Sequence, residues 1–241
     1  MLYIVATPIG NLDDISARAI KALRDSDIVA CEDTRRTRIL LEHCQMGRPQ
    51  TMVSYREQTE HRAGGQLVQQ LLQGRNVALC SDGGFPGISD PGYRLVNLAI
   101  ENGIKFEVIP GASAVHVALL YSGLSTSSYT FKGFPPRKRG PAVRFFGDEK
   151  DLPHTMVIFE SPFRVGPTLE HALEALGNRK AAVCIELTKK FERISRGYLA
   201  DLVKEYSTGP VKGEVTIVIA GNNPKFAAVE EDGEAPADDA G

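Results

Sequence analysis

Short apolar runs alternate with stretches of helical spacing along the first half of the chain. Residues 2–6 read as a strand, which Thr7-Pro8-Ile9-Gly10-Asn11 breaks. Ser16 is placed to cap a helix with Ala19, Ile20 and Leu23 on one face. Residues 27–31 are a second strand, 34–43 a helix, 52–55 a brief strand, and 59–73 a helix with Leu67, Leu71 and Leu72 turned inward. Residues 77–80 form an apolar strand, 93–102 a helix and 106–109 a strand, after which Pro110-Gly111-Ala112-Ser113-Ala114 starts another helix. Such strand–helix alternation predicts a mostly parallel sheet covered by helices.

The second half is less regular. Residues 129–133 and 155–159 read as strands, 164–176 as a helix and 181–187 as an apolar strand that 191–196 can pair with as a hairpin. A short helix over 199–206 and a buried strand over 215–220 complete it. The hairpin-like spacing predicts a mixed sheet. The expected architecture is α/β in two domains, 1–122 and 123–223, divided near the small polar run 122–128.

Composition narrows the class. Apolar residues make up 42% and charged residues 24% of the chain, as in a water-soluble globular protein. No apolar run reaches the length of a membrane span. The first residues enter a strand without a basic leader, so no signal peptide and a cytoplasmic location are expected. Cys31, Cys44, Cys80 and Cys184 are scattered without CxxC spacing, and the five histidines show no HExxH pattern. Buried free thiols and no protein-held metal are the expectation. The net charge of −2 conceals a division: residues 224–241 hold one lysine and six acids, a net of −5, which leaves +3 for the rest. The segment 224–241 reads as a disordered acidic tail, and the mildly basic body admits an anionic partner.

Residues 81–92, Ser-Asp-Gly-Gly-Phe-Pro-Gly-Ile-Ser-Asp-Pro-Gly, hold four glycines and two prolines between a strand and a helix. Glycine lets a ligand approach the backbone and proline fixes the loop shape beforehand. Such loops at the carboxyl ends of strands are where open α/β sheets bind ligands. With 7–11 and 110–114, three of them would leave one sheet edge, presenting main-chain groups to a small molecule. Neither GxxxxGK[ST] nor GxGxxG is matched. Glu32-Asp33-Thr34-Arg35-Arg36-Thr37-Arg38 sets acids beside arginines, either as a site or as a capped helix start with a solvated basic face. Arg137-Lys138-Arg139 is a flexible basic patch, suited to phosphate contact or to solubility. Glu160 and Glu186 each stand at a strand end, as site groups or as ion-pair partners.

These segments, in this order, resemble the tetrapyrrole methylase superfamily. They are most similar to its bacterial branch that methylates a cytidine 2′-oxygen in small-subunit ribosomal RNA. The matching stretches are 5–12, Glu32-Asp33-Thr34-Arg35, 81–92, 108–114, Gly133-Phe134, Glu160-Ser161-Pro162, 186–189 and Lys212-Gly213-Glu214. The tetrapyrrole branch usually shows Val-Gly-x-Gly-Pro-Gly-Asp near the start, whereas this chain has Ala6-Thr7-Pro8-Ile9-Gly10-Asn11. Departures from the RNA branch are Gly83 for Ala, Phe163 for His, Ile185 for Arg and Thr59 for Asn, differences that bear on the RNA target rather than on donor binding.

The resemblance implies two α/β domains with S-adenosylmethionine folded into the cleft between them, and a homodimer. It implies donor binding at Pro8, Asp82, Gly84, Pro86, Ile88, Ser113 and Ala114. For the transfer, Asp33, Glu160 and Glu186 are the expected proton acceptors, with Arg35 and Lys189 as cations. Arg36, Arg38, Lys138 and Arg139 are the expected RNA contacts. The expected partner is small-subunit (16S) RNA or the 30S particle, with no DNA and no membrane. Two rival readings are a methyltransferase acting on a tetrapyrrole or other small metabolite, and a non-catalytic RNA-associated module.

Overall fold

The apolar runs of the first half pair as β1 (Leu2–Val5), β2 (Ile28–Cys31), β3 (Thr51–Ser54), β4 (Val77–Cys80) and β5 (Phe106–Ile109) in the computed structural model, which describes residues 1–46 and 51–227. They form one sheet in the order β3-β2-β4-β1-β5, with every pairing parallel. Four helices connect them: α1 (Ala17–Asp25), α2 (Thr34–His43), α3 (Glu60–Leu72) and α4 (Tyr93–Glu101). A fifth, α5 (Ala114–Ser122), leaves the last strand.

Side chains alternate across a strand, and this sorts the core into two layers. Leu2, Ile4, Ala30, Val77 and Leu79 pack with Leu67 of α3 and Leu95 of α4 on one face. Val5, Val29, Cys31, Ala78 and Cys80 pack with Ala19 and Leu23 of α1 on the other. Every residue of β2 and β4 is buried, because both faces of a parallel sheet are covered by its crossover helices. Ser16 caps α1, its hydroxyl accepting from Ala19 N at 3.1 Å.

Register then decides where the loops lie. Ser54 stands beside Cys31, Cys31 beside Cys80, Cys80 beside Val5, and Val5 beside Ile109. The last residues of all five strands therefore form one row. The loops beginning at 6, 32, 55, 81 and 110 all depart from it.

By compactness the chain divides into two units: Met1–Ala118 with Ile185–Arg193, and Leu119–Cys184 with Ile194–Gly241. The second unit holds β6 (Tyr129–Phe131), β7 (Thr155–Glu160), β8 (Lys180–Ile185, whose last residue belongs to the first unit), β9 (Arg193–Tyr198, likewise in its first residue) and β10 (Val215–Ile219). Their order is β6-β7-β10-β8-β9, a mixed sheet with β6–β7 parallel and β7–β10 antiparallel. β9 starts two residues later than the sequence pattern suggests, because turns closed by Lys189 N to Glu186 O and Glu192 N to Lys189 O, each 3.0 Å, occupy the connection.

Three helices accompany this sheet: α6 (Arg139–Gly147), α7 (Val165–Leu176) and α8 (Leu199–Tyr206). α6 corrects the reading of Arg137-Lys138-Arg139 as a flexible patch. Gly140 and Pro141 look like breakers, but proline is tolerated in a first helical turn, where its missing N–H has no partner to lose. Ala142 and Phe146 then bury one side of α6. Of the stretch read as an acidic tail, Pro224–Phe226 forms one 3-10 turn capped by Asn223, and 228–241 lie outside the described residues. No helix among the described residues is long and apolar enough to cross a membrane.

Gly166 on α7 lets α8 approach closely: a Cβ there would lie 2.7 Å from Tyr206 O. Gly166→Ala is expected to destabilise the second unit by about 1–3 kcal/mol through this overlap, measured as a lowered urea midpoint in circular dichroism.

Candidate functional site

The row of strand ends in the first unit brings three of its loops into direct contact. Thr7 N donates to Gly84 O at 2.9 Å and Gly84 N to Thr7 O at 3.0 Å, a two-bond antiparallel bridge between the loops after β1 and β4. Thr7 Oγ1 donates to Ser81 O at 3.1 Å and Ser81 Oγ to Gly84 O at 3.2 Å, so the bridge is buried and doubly supported. Gly84 has φ +83°, a backbone state that a side chain would strain. The loop after β5 joins them, with Ala112 O 3.8 Å from where a Cβ on Gly84 would stand. A Cβ on Gly83 would occupy the space over Pro8 O and Ile9 Cα, at 3.4 and 3.5 Å. Gly83 and Gly84 thus bring bare backbone to the point where the loops converge, close to Ile9 Cγ2, with Pro8 and Pro86 buried and Ile88 exposed in the same loops. Ser113, its hydroxyl 3.0 Å from His116 Nδ1, and Ala114 open α5 at the same edge.

Charge is concentrated in the neighbouring loop, after β2. Asp33 caps α2, accepting from Arg35 N at 2.9 Å, Arg35 Nε at 3.1 Å and Arg35 Nη2 at 2.6 Å. These bonds to the Arg35 guanidinium and amide hold the Asp33 carboxyl well below the usual carboxylate range. Asp82 ties the loops of neighbouring strands together, accepting from Asp33 N at 3.0 Å and lying 3.4 Å from Arg36 Nη1. Burial and the nearby Asp82 push the Glu32 carboxyl up, against the opposing pull of Arg56 and Arg36. Arg56, from the loop after β3, donates Nε to Glu32 O at 2.9 Å. Burial also pushes the Cys31 and Cys80 thiols up, which leaves them inert. No group of metal-ligating side chains is found among the described residues.

The returning segment Ile185–Arg193 lies in this unit too. Lys189 Nζ pairs with Glu186 Oε1 at 2.7 Å. Glu186 and Thr188 hold φ of +54° and +64°, strain of a kind that clusters at functional sites. The segment is pinned to the first loop by Asn11 N, which donates to Thr188 Oγ1 at 3.1 Å, while Thr188 N donates to Glu192 Oε2 at 2.7 Å.

The fold therefore gathers Pro8, Asp82, Gly84, Pro86, Ile88, Ser113, Ala114, Asp33, Arg35, Arg36, Arg38, Glu186 and Lys189 in one unit. Glu160, Lys138 and Arg139 belong to the other. Glu160 is wholly buried at the end of β7, where it accepts from Ser161 N at 2.6 Å and Thr168 Oγ1 and pairs with Arg164. No face of this carboxylate is open to a substrate. Arg139 pairs with Glu174 of α7 at 2.7 Å. Glu32 and Arg56 also stand at this edge, and the sequence reading did not single them out. Glu32 adjoins Asp33, and Arg56 follows a strand with no fully buried residue, without the glycines and prolines that mark the other loops.

A two-sheet α/β scaffold with glycine-lined loops on a row of parallel strand ends defines the class as an α/β protein built to bind a ligand at its strand ends. Residues 1–203 match the family model of the Tetrapyrrole (Corrin/Porphyrin) Methylases, and the chain belongs to that family. It is 44% identical over 229 residues to a protein named ribosomal RNA small subunit methyltransferase I from Halalkalibacterium halodurans, covering 95% of this chain and 78% of the relative. A protein of the same name from Mesorhizobium japonicum is 46% identical over 220 residues, covering 90% of this chain and 74% of the relative. Among solved structures, a cobalt precorrin-4 methyltransferase superposes with a TM-score of 0.69 at 19% identity, over 91% of this chain and 94% of that one. Diphthine synthase superposes with a TM-score of 0.70 at 18% identity, over 91% and 89%. At these identities the structural likeness speaks for the fold alone.

Gly10 permits the close seating of the returning segment: a Cβ there would overlap Lys189 Cγ and lie 2.7 Å from Thr188 Oγ1 and 2.8 Å from Leu187 O. Gly10→Ala is expected to release that segment and raise the rate of Lys-C cleavage at Lys189 and Lys190 roughly tenfold, followed by mass spectrometry.

Proposed function

We propose that the protein transfers a methyl group from S-adenosylmethionine to the 2′-oxygen of a cytidine in small-subunit (16S) ribosomal RNA. One observation carries this reading: identity above 40% across nine-tenths of the chain to proteins bearing the name ribosomal RNA small subunit methyltransferase I. The converging loops at the strand ends suit the donor. They offer peptide groups and side-chain-free glycines rather than charged side chains, which fits an amphiphilic nucleoside held by its edges. Pro8, Asp82, Gly84, Pro86, Ile88, Ser113 and Ala114 are the residues that would hold or frame it, Asp82 by fixing the loop through Asp33 N rather than by a free carboxylate. When bound, S-adenosylmethionine supplies an electrophilic methyl group.

The chain's own task is to orient a ribose hydroxyl and take its proton. Asp33 is a weak base, because Arg35 stabilises its anion. Glu32, beside it, binds a proton more tightly and is flanked by the cations Arg36 and Arg56. We assign proton acceptance to Glu32, with Asp33 and Arg35 fixing the start of α2 and the Glu186–Lys189 pair as a second charged station of the same unit. Arg36 and Arg38 on α2, and Lys138 and Arg139 at the start of α6, are the assigned phosphate contacts. Arg139, already paired with Glu174, is the weakest of these. The cytoplasm, where ribosomal subunits are made, is the corresponding location. A second copy of the chain is the expected cover for the β5 edge, where Phe106 and Val108 remain exposed.

Incubation with radiolabelled S-adenosylmethionine and either free 16S transcript or assembled small subunits is expected to place label on a cytidine 2′-oxygen, read by nuclease digestion and mass spectrometry. Label on neither RNA overturns the reading. Glu32→Gln is expected to lower kcat by about 10²–10⁴ while calorimetry finds donor affinity unchanged. Sedimentation equilibrium is expected to give twice the chain mass, with Val108→Lys shifting it to the monomer.

A further inference from the structure

Two bare aromatic rings stand where neighbouring strands of the second unit end. β6 and β7 run parallel, Tyr129 beside Thr155 through Phe131 beside Val157, so the loops that follow them leave the same end of the sheet. Phe134 lies in the first loop and is 53% exposed, and Phe163 lies in the second and is 75% exposed. Leaving a phenylalanine ring in water forgoes the gain of burying it. The neighbouring aromatics do not share this exposure: Phe131 and Phe159 are half-buried and pack edge to face, with centroids 4.8 Å apart. Phe134 leans on the same Phe159 at 5.7 Å and leaves the rest of its ring to solvent.

The loops that bear these rings are held in shape. Phe159 N donates to Gly133 O at 2.9 Å and Val211 N to Pro162 O at 3.0 Å. Arg164 links the two loops, with Nη1 3.4 Å from Pro135 O and Nη2 paired with Glu160. Phe163 N donates to Ser161 Oγ at 3.4 Å. The frame thus absorbs its own acid, Glu160, in an ion pair. Around the rings stand exposed cations: Arg137 and Lys138 after Phe134, and Lys212 after Val211, with Glu214 the acid on that last turn.

Flat apolar faces on a rigid frame among exposed cations match the chemistry of unpaired nucleic acid, which stacks its bases and is held by its phosphates. A duplex does not fit, since its bases are already stacked within the helix. We infer that Phe134 and Phe163 form a stacking platform for unpaired bases of the RNA substrate, with Arg137, Lys138 and Lys212 on the adjoining phosphates. The inference rests on the RNA reading above and extends it to a single-stranded recognition site on the second unit.

The chain has no tryptophan, so Phe134→Trp and Phe163→Trp each introduce a single reporter. Emission is expected to be quenched by a single-stranded RNA of roughly 12 nucleotides, within the span such sites cover, and not by the same sequence as a duplex. The Phe134→Ala/Phe163→Ala double variant is expected to bind the 16S transcript at least about tenfold more weakly and to raise the KM for RNA, with calorimetric affinity for S-adenosylmethionine unchanged. Phe163→His, which keeps a planar ring, restores most of the affinity lost in Phe163→Ala. Equal quenching by duplex and single strand overturns the platform. So does a double variant with wild-type RNA affinity and KM, which leaves a protein partner as the occupant of the rings. If the wild type itself neither binds nor methylates the RNA, the RNA reading fails and takes this inference with it. If the wild type does both and the double variant is unaffected, the platform fails alone.

Discussion

The two hydrogen bonds between Thr7 and Gly84 are the constraint on which the first unit's site depends. They join the loops after β1 and β4, neighbours in a parallel sheet whose strands end in one row. Without that bridge, a loop of four glycines and two prolines would have many conformations of similar energy. With it, the backbone at residues 83 and 84 is held in one arrangement. The buried hydroxyls of Thr7 and Ser81 reinforce the bridge, Thr7 Oγ1 by donating to Ser81 O and Ser81 Oγ by adding a second bond to Gly84 O. A small molecule held by peptide groups needs such groups already in place, because ordering them on binding would consume the affinity they provide.

Electrostatics are arranged beside these loops in two ways. One carboxylate, Asp33, is made a firm anion by Arg35 and caps a helix. Its neighbour Glu32 is made a better proton acceptor by burial and by the proximity of Asp82. Adjacent residues of one chemical type thus acquire opposite tendencies from their surroundings, the pattern by which acid–base roles are assigned within a site. The second unit repeats the theme with Glu160, whose charge is wholly taken up by Arg164, Thr168 and Ser161 in stiffening the loop that presents Phe163.

Much of this was legible in the chain as written. Strand–helix alternation through residue 109 gave the parallel sheet, because in-register apolar runs of four residues have few other ways to be buried. The loops at 7–11, 81–92 and 110–114 announced themselves by glycine and proline. Where the pattern misled, a local rule met a tertiary fact. Arg137-Lys138-Arg139 read as a flexible patch, yet packing on α7 sustains α6 from Arg139 onward. Asp33 drew attention as the acid nearest the arginines, but those same arginine bonds weaken it as a base.

Sequence alone determined which segments become strands, which turns must be built from glycine, and which family's motifs occur in which order. These follow from local sterics and from hydrophobic periodicity, which act over a few residues. Only the tertiary structure decided which acid has its pKa raised by burial, that Glu160 is closed to any substrate, and that Phe134 and Phe163 stand exposed on one frame. Burial, register and ion pairing join residues far apart in the chain, and no spacing along it encodes their distance.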